Sequence, residues 1–321
     1  MRTRYRRNIS GAEILLDSYG VCNLTTVNLA QFVDEGKFDL YGALEAQKRS
    51  VRIGLRMTLA ELELPHWNEI QQRDRLLGTS LTGVKDAGVS TEELRILRVF
   101  AEEEARRYAK ELRVSTPLLV TTVKPEGTLS QVAGGVSSGL HWSHSPYYIR
   151  RIRINATDPL AQVAKELGWT ANPEIGTQGD TEEERMQNAR TLVIDFPVSS
   201  GAKKTKDDVY ARDQFDTYFE FQSVYTEHNS SNTIHVRNDE WEEVENIVWR
   251  KWDDFTAVSF LSYDGGTYQL APYEAISEAR YEEMKSSMKP FDPALLANYE
   301  SGGEEFDVGN DGCESGICPI R

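Results

Sequence analysis

Residues 117–139, PLLVTTVKPEGTLSQVAGGVSSG, decide the reading of the fold. The first seven are nearly all apolar, the composition of a strand covered on both faces. Such strands belong to largely parallel sheets flanked by helices. The run then opens into Lys124-Pro125-Glu126-Gly127-Thr128-Leu129-Ser130, followed by Gly134, Gly135, Ser137, Ser138 and Gly139. A strand that empties into Gly, Thr and Ser presents backbone N–H groups to an anion, and the hydroxyls of Thr128 and Ser130 add donors. Lys124 adds charge, with Arg150, Arg151 and Arg153 near in sequence. A Gly-rich connection without a ligand has the same look. No Walker pattern is present to decide between the two.

The flanking segments repeat the alternation. Residues 40–58 read as helix, and Leu76–Thr82 (LLGTSLT) as a strand broken by Gly83. Ser90 and Glu93 form a capping box for a long helix. Leu94, Leu97, Ala101, Ala105, Tyr108 and Leu112 then recur at three- and four-residue steps along one face. Asp158-Pro159 starts another helix and Gly168 stops it. Residues 191–196 (TLVIDF) and 256–261 (TAVSFL) read as strands; 208–226, 239–252 and 273–286 read as helices. Trp241, Val244, Val248 and Trp252 are expected on the inward face of the second of these helices. The order predicts an α/β fold with mostly parallel strands. From residue 301 the sequence SGGEEFDVGNDG has little to bury, which predicts a flexible tail over 301–321 behind a folded region over 1–300.

The formal charge of −15 opposes binding to a nucleic-acid duplex. No apolar run approaches the roughly 18 residues of a membrane span. The basic start MRTRYRR lacks the apolar core of a secretory signal. Three cysteines in 321 residues do not make a disulfide scaffold, which points to a reducing, cytoplasmic setting.

Four features bear on chemistry. His141 and His144 (HWSH) have a metal-compatible spacing but no obvious third ligand, so a loop-packing role is the simpler reading and no metal is expected. His228 either orients a neighbouring group or is a satisfied histidine near a helix end. Cys22, between ILLDSYG and a strand-like NLTTVNL, reads by itself as a buried structural cysteine. Cys313 and Cys318 stand four residues apart on the tail. Two thiols on a tether can close a disulfide in one place and be reduced in another.

Together these stretches resemble the class II, adenosylcobalamin-dependent ribonucleotide reductases, in particular the monomeric ribonucleoside-triphosphate reductase branch. The matching pieces are CNLTTVNL (22–29), GTSLTGVKD (78–86), KPEGTLSQVAGGVSSGLHWSHSPYYIRR (124–151), EHNSSNTIHV (227–236), FLSYDGGTYQLAPYEAI (260–276) and the terminal CESGIC. They occur in the family's order across nearly the whole chain. The resemblance implies the C-terminal half of a ten-stranded α/β barrel with a flexible C-terminal tail. It also implies thiyl-radical reduction of ribonucleoside triphosphates with adenosylcobalamin. In that chemistry a thiyl radical removes the 3′ hydrogen, the 2′ hydroxyl leaves as water, and a cysteine pair is oxidised to a disulfide. Cys22 falls where the family has one of its two reducing cysteines. Cys313 and Cys318 match the tail pair that re-reduces them and is itself regenerated by thioredoxin or a similar dithiol. Pro125, Glu126, Gly127, Thr128, Leu129 and Ser130 match the substrate-phosphate loop.

One departure matters. Before Cys22 the family carries Asn-x-Cys-Gly-Glu, whose cysteine bears the radical. Here the region reads Asn8-Ile9-Ser10-Gly11-Ala12-Glu13. Aligning on Glu13 puts Gly11 in the cysteine position; aligning on Asn8 puts Ser10 there. Glu13 retains the family's acid–base position, and the second reducing cysteine lies earlier in the family's sequence. Two expectations follow. Either a separate N-terminal chain carries the missing half and the radical cysteine, or the chain is an inactive fragment that still binds nucleotide or cobalamin.

Overall fold

A computed structural model of the protein describes residues 7–8, 13–263 and 269–300. The main elements are β1 (Cys22–Asn28), α1 (Leu40–Met57), α2 (Pro65–Asp74), β2 (Leu76–Thr82), α3 (Thr91–Leu112), β3 (Tyr147–Asn155), α4 (Pro159–Glu166), β4 (Ala171–Pro173), β5 (Thr191–Ser199), α5 (Ala211–Val224), β6 (Thr233–Val236), α6 (Trp241–Arg250), β7 (Ser259–Ser262), β8 (Tyr273–Ala275) and α7 (Glu278–Ser287). The fold is mixed α/β. The chain divides into two compact units, one formed by residues 1–143 and 204–263, the other by 144–203 and 264–321. The tail with Cys313 and Cys318 lies outside the described residues, as do Ser10 and Gly11.

In the first unit β1 and β2 pair in parallel, Cys22 opposite Leu76 through Asn28 opposite Thr82. The strand expected over Leu76–Thr82 is present, and all seven of its residues are buried. β6 and β7 form a second parallel pair. Between these pairs runs the segment expected as a strand over 117–123. It forms isolated parallel bridges, Thr79 with Thr121 and Val123 with Ser230, in place of a regular ladder. Its backbone bonds are divided between two neighbours: the Thr79 N–H donates to the Val120 carbonyl at 2.8 Å and the Thr122 N–H to the Thr79 carbonyl at 3.2 Å, while the Thr121 carbonyl accepts from the N–H groups of Glu227 and His228, both at 3.1 Å. The Thr121 hydroxyl donates to the Tyr225 carbonyl at 2.7 Å.

Helices α1 and α3 cover the β1–β2 sheet. The capping box of Ser90 and Glu93 is present, and Leu94, Leu97, Ala101, Ala105 and Tyr108 are buried on the expected face. They join Val51, Leu55, Leu77 and Leu81 in two adjoining apolar clusters. Glu104, buried on α3, is matched by Arg52 of α1 at 2.6 Å. On α6, Val244 is buried and Val248 packs beside it. Trp241 and Trp252, expected to point inward, are 42% and 69% exposed. The helix ends at Arg250, before its stripe reaches Trp252.

The second unit departs from the expected parallel arrangement. Its sheet runs β8–β3–β5–β4 and every pairing is antiparallel. Residues 273–275, expected as the start of a helix, form the edge strand β8. Helix α7 begins only after Ser277, whose side chain accepts from the Arg280 N–H. Asp158 caps α4 and Gly168 follows it with φ +72°, as read from the sequence. No helix among the described residues is long and apolar enough to cross a membrane.

Candidate active site

The chemistry-bearing residues of the first unit gather around β1 and the loop after residue 123. Leu15–Leu16 pairs antiparallel with Arg7–Asn8. The segment leading into this pair is pinned by Glu13, whose backbone carbonyl accepts from the Thr122 hydroxyl at 2.7 Å and the Asn229 N–H at 3.2 Å. Ile14 and Leu16 pack with Leu76, and Cys22, Leu24 and Leu119 close around them. Glu13 and Cys22 are thereby brought together, and the Glu13 charge is felt at the thiol.

Burial is the main force on both groups. It raises the Glu13 carboxyl above its usual range; the neighbouring Lys124 opposes this and Glu126 adds to it. Burial, with the Glu13 charge second, pushes the Cys22 thiol far up, so it carries its proton through the neutral range. Cys22 is unpaired and half-buried. A protonated thiol is a poor nucleophile but retains the S–H hydrogen needed for reduction.

The loop itself is two-sided. The Lys124 N–H donates to the Ser80 hydroxyl at 2.9 Å. Gly139, at φ +51°, approaches the Lys124 carbonyl so closely that a Cβ would lie 2.5 Å from that oxygen. Glu126 sits at φ +58°, an uncommon conformation for a residue other than glycine. Its side chain is fully buried, and one carboxylate oxygen accepts from the Thr26 hydroxyl at 2.8 Å. Beyond it the chain turns outward, with Thr128 and Leu129 exposed, into a single helical turn over Leu129–Val132. The N–H groups of Gly127, Thr128 and Leu129 donate to no partner among the described residues. Three successive N–H groups without an internal partner are free to donate to an anion. The Ser130 hydroxyl, expected as a further donor, is shared with the Ser138 hydroxyl at 2.7 Å.

The other sequence candidates have partners of their own. Arg150, Arg151 and Arg153 lie on β3 of the second unit. There Arg151 pairs with Asp195 at 3.0 Å, Arg153 faces Glu174 at 3.5 Å, and Arg150 stacks on Tyr273. Ring N–Hδ1 of His141 donates to the Ser138 carbonyl at 3.0 Å, while Nε2 accepts from the Thr233 N–H at 3.1 Å. Both ring nitrogens are in use, and burial lowers the pKa. His144 stacks on Tyr273 in the second unit. Among the described residues no group of three or more His, Cys, Asp or Glu forms a metal site. The sequence reading left Thr26, Thr122 and Asn229 without roles. A signal was present: paired threonines inside buried apolar runs require hydrogen-bond partners.

His228 is buried; Nε2 lies 2.9 Å from the Leu77 carbonyl, and Nδ1 is buried without a hydrogen-bond partner among the described residues. Burial lowers its pKa to about 4 from 6.5, and His235 is lowered to about 4 as well. Between those values the unfolded chain binds protons that the folded chain refuses. Stability therefore falls as pH drops through this window, by about 1.4 kcal/mol per pH unit for each histidine. The raised carboxyls of Glu13, Glu227 and Asp195 act oppositely, gaining stability as they protonate. The expected result for His228→Gln, whose amide can still donate to Leu77, is a shallower loss of the urea midpoint from pH 6.5 to 5. An unchanged pH slope would place the acid sensitivity elsewhere.

No family model matches the chain. Curated relatives are similar to it over almost its full length. The adenosylcobalamin-dependent ribonucleoside-triphosphate reductase of Lactobacillus acidophilus is 27% identical, covering 96% of this chain and 44% of that protein. The enzyme of the same description from Lactobacillus gasseri is 27% identical over 86% of this chain and 41% of that protein. The Lactobacillus leichmannii enzyme is 26% identical over 96% and 45% respectively. A crystal structure of a B12-dependent class II ribonucleotide reductase has the same fold, with a TM-score of 0.76 at 23% identity over 94% of this chain and 45% of that one. The chain thus spans less than half the length of the curated relatives it matches.

Proposed function

We propose that this chain, a relative of the adenosylcobalamin-dependent ribonucleoside-triphosphate reductases, supplies the C-terminal part of such an enzyme and reduces ribonucleoside triphosphates to 2′-deoxyribonucleoside triphosphates. The observation that carries the reading is the junction of Glu13 and Cys22 beside a loop with three unused N–H groups. The β1–β2 pair, the bridging segment over 117–123 and the β6–β7 pair are read as one half of a ten-stranded barrel. A complementary N-terminal half, expected on a separate chain, brings the radical-bearing cysteine and the second reducing thiol.

The loop over Pro125–Ser130 holds the substrate phosphates, through the N–H groups of Gly127, Thr128 and Leu129. Glu13 exchanges a proton at the ribose. Cys22 and the complementary thiol give up two hydrogens and two electrons, water leaves from C2′, and the two sulfurs join as a disulfide. Adenosylcobalamin supplies the radical when bound. The half-buried Cys22 thiol stays protonated and would hold its hydrogen for such chemistry. Cys313 and Cys318, outside the described residues, are assigned to carry electrons from thioredoxin or a similar dithiol to that disulfide.

The test combines the chain with the N-terminal half of a relative, adenosylcobalamin, a ribonucleoside triphosphate and a reductant. Cys313→Ser and Cys318→Ser are each expected to abolish turnover with thioredoxin and to spare most of it with dithiothreitol. Equal loss with both reductants would contradict the shuttle. Nucleotide binding without turnover under every complement would identify the chain as a fragment that kept its binding loop.

A further inference from the structure

Glu126 is out of place in a loop that receives phosphates. Its side chain is 0% exposed, and only one of its carboxylate oxygens is used, by the Thr26 hydroxyl at 2.8 Å. The other is buried with no hydrogen-bond partner among the described residues. The Lys124 ammonium stands 3.7 Å from it, an ion pair beyond hydrogen-bond reach, and also lies 3.5 Å from the Thr26 hydroxyl. Glu126 has φ +58°; its side chain is buried, while Thr128 and Leu129 after it are exposed.

A purely structural role does not account for this. Thr26 needs one acceptor, which a glutamine would supply without a buried charge. An orphan buried carboxylate oxygen costs several kcal/mol unless something fills its place. Glu13 poses the same problem, since one of its carboxylate oxygens is also buried without a partner. The two carboxyls and Lys124 act on one another electrostatically, so all three occupy one neighbourhood. Lys124 already provides positive charge there, and no third metal-ligating side chain joins the pair among the described residues. The remaining demand is for neutral hydrogen-bond donors, one for each orphan oxygen. A vicinal diol has two.

We propose that Glu126 is a specificity-determining residue. Its unused carboxylate oxygen, with that of Glu13, accepts hydrogen bonds from the ribose hydroxyls and so separates a ribonucleotide from its 2′-deoxy counterpart. This rests on the phosphate-loop reading above. The phosphates of the same ligand then lie against the N–H groups of Gly127, Thr128 and Leu129, and its sugar lies toward the side chain of Glu126. Glu126→Gln keeps an acceptor for Thr26 but turns an NH2 group toward the diol.

The experiment is calorimetric binding of three probes to the full chain and to Glu126→Gln: ATP, 2′-deoxyATP and inorganic tripolyphosphate. The wild-type chain is expected to prefer ATP over 2′-deoxyATP by about fivefold or more, the worth of one hydrogen bond. Glu126→Gln is expected to bring that ratio near one without weakening tripolyphosphate binding, since no phosphate contact is lost and a negative charge beside Lys124 is removed. Equal weakening toward all three probes would make Glu126 a support for the loop alone and overturn the inference. An unchanged ATP to 2′-deoxyATP ratio in the variant would overturn it too. If tripolyphosphate and both nucleotides fail to bind the wild-type chain, the phosphate-loop reading itself falls and the inference with it. Should Glu126→Gln not fold, Glu126→Asp withdraws the oxygens by one methylene while keeping the charge beside Lys124, and the same ratio is expected to fall.

Discussion

Gly78→Val is expected to cost the protein about 3 kcal/mol of stability, or to abolish its cooperative unfolding transition. Gly78 is the third residue of β2, a strand buried along its whole length. A Cβ at this position would run into the Leu24 side chain and lie 3.1 Å from both Ile14 Cδ1 and Thr122 Cγ2. Those atoms belong to three separate segments: the neighbouring strand, the turn that carries Glu13, and the bridging segment. Movement away from one drives the side chain into another. Gly78→Ala should be milder, about 1 to 2 kcal/mol. Urea unfolding followed by circular dichroism measures both. A midpoint for Gly78→Val equal to wild type would mean that these three segments do not converge on β2. The same crowding displaces Ile14, so nucleotide binding by a surviving Gly78→Ala protein should weaken alongside stability.

Much of this arrangement could be read from the sequence because the signals were local. The β2 strand, the capping box at Ser90 and Glu93 and the Asp158-Pro159 helix start each depend on a few adjacent residues. The antiparallel sheet was not legible. Strand direction is set by tertiary pairing, and residues 273–275 carry no local mark of the edge strand they form on β3. The bridging segment looked like a regular buried strand because of its apolar run; its backbone bonds are instead divided between β2 and residues 227–231, which nothing local announces. At the site, Glu13, Cys22 and the loop were named from the sequence. The inward turn of Glu126 was not, since a positive φ at a glutamate has no signature beyond the following glycine. The reach of the arginines was misjudged for a similar reason. Proximity in sequence to Lys124 said nothing of Asp195 or Glu174, which engage Arg151 and Arg153.

The second large effect concerns Cys22. In the complemented assay Cys22→Ser is expected to lower multiple-turnover reduction by roughly three orders of magnitude or more, equivalent to about 4 kcal/mol or more of barrier. The substitution is nearly isosteric, and the raised pKa means that wild type presents a neutral hydrogen-bearing group at this position, as serine would. Packing and charge are thus preserved while redox capacity is lost. A hydroxyl cannot join a thiol in a disulfide, so the electron pair needed to expel the 2′ oxygen is missing. Binding of ATP to the variant should match wild type within about twofold, which separates loss of chemistry from loss of fold. Wild-type turnover by Cys22→Ser would show that the reducing electrons enter through another group.

The strand β7 has a consequence for how a cell must handle this protein. Among the described residues it pairs only with β6, and Ser259, Phe260 and Ser262 are exposed along it. An uncovered strand of this kind is a template for whatever extended chain arrives first, including another newly made copy. Synthesis of this chain in excess would therefore lead to deposits of insoluble protein and to occupation of chaperones.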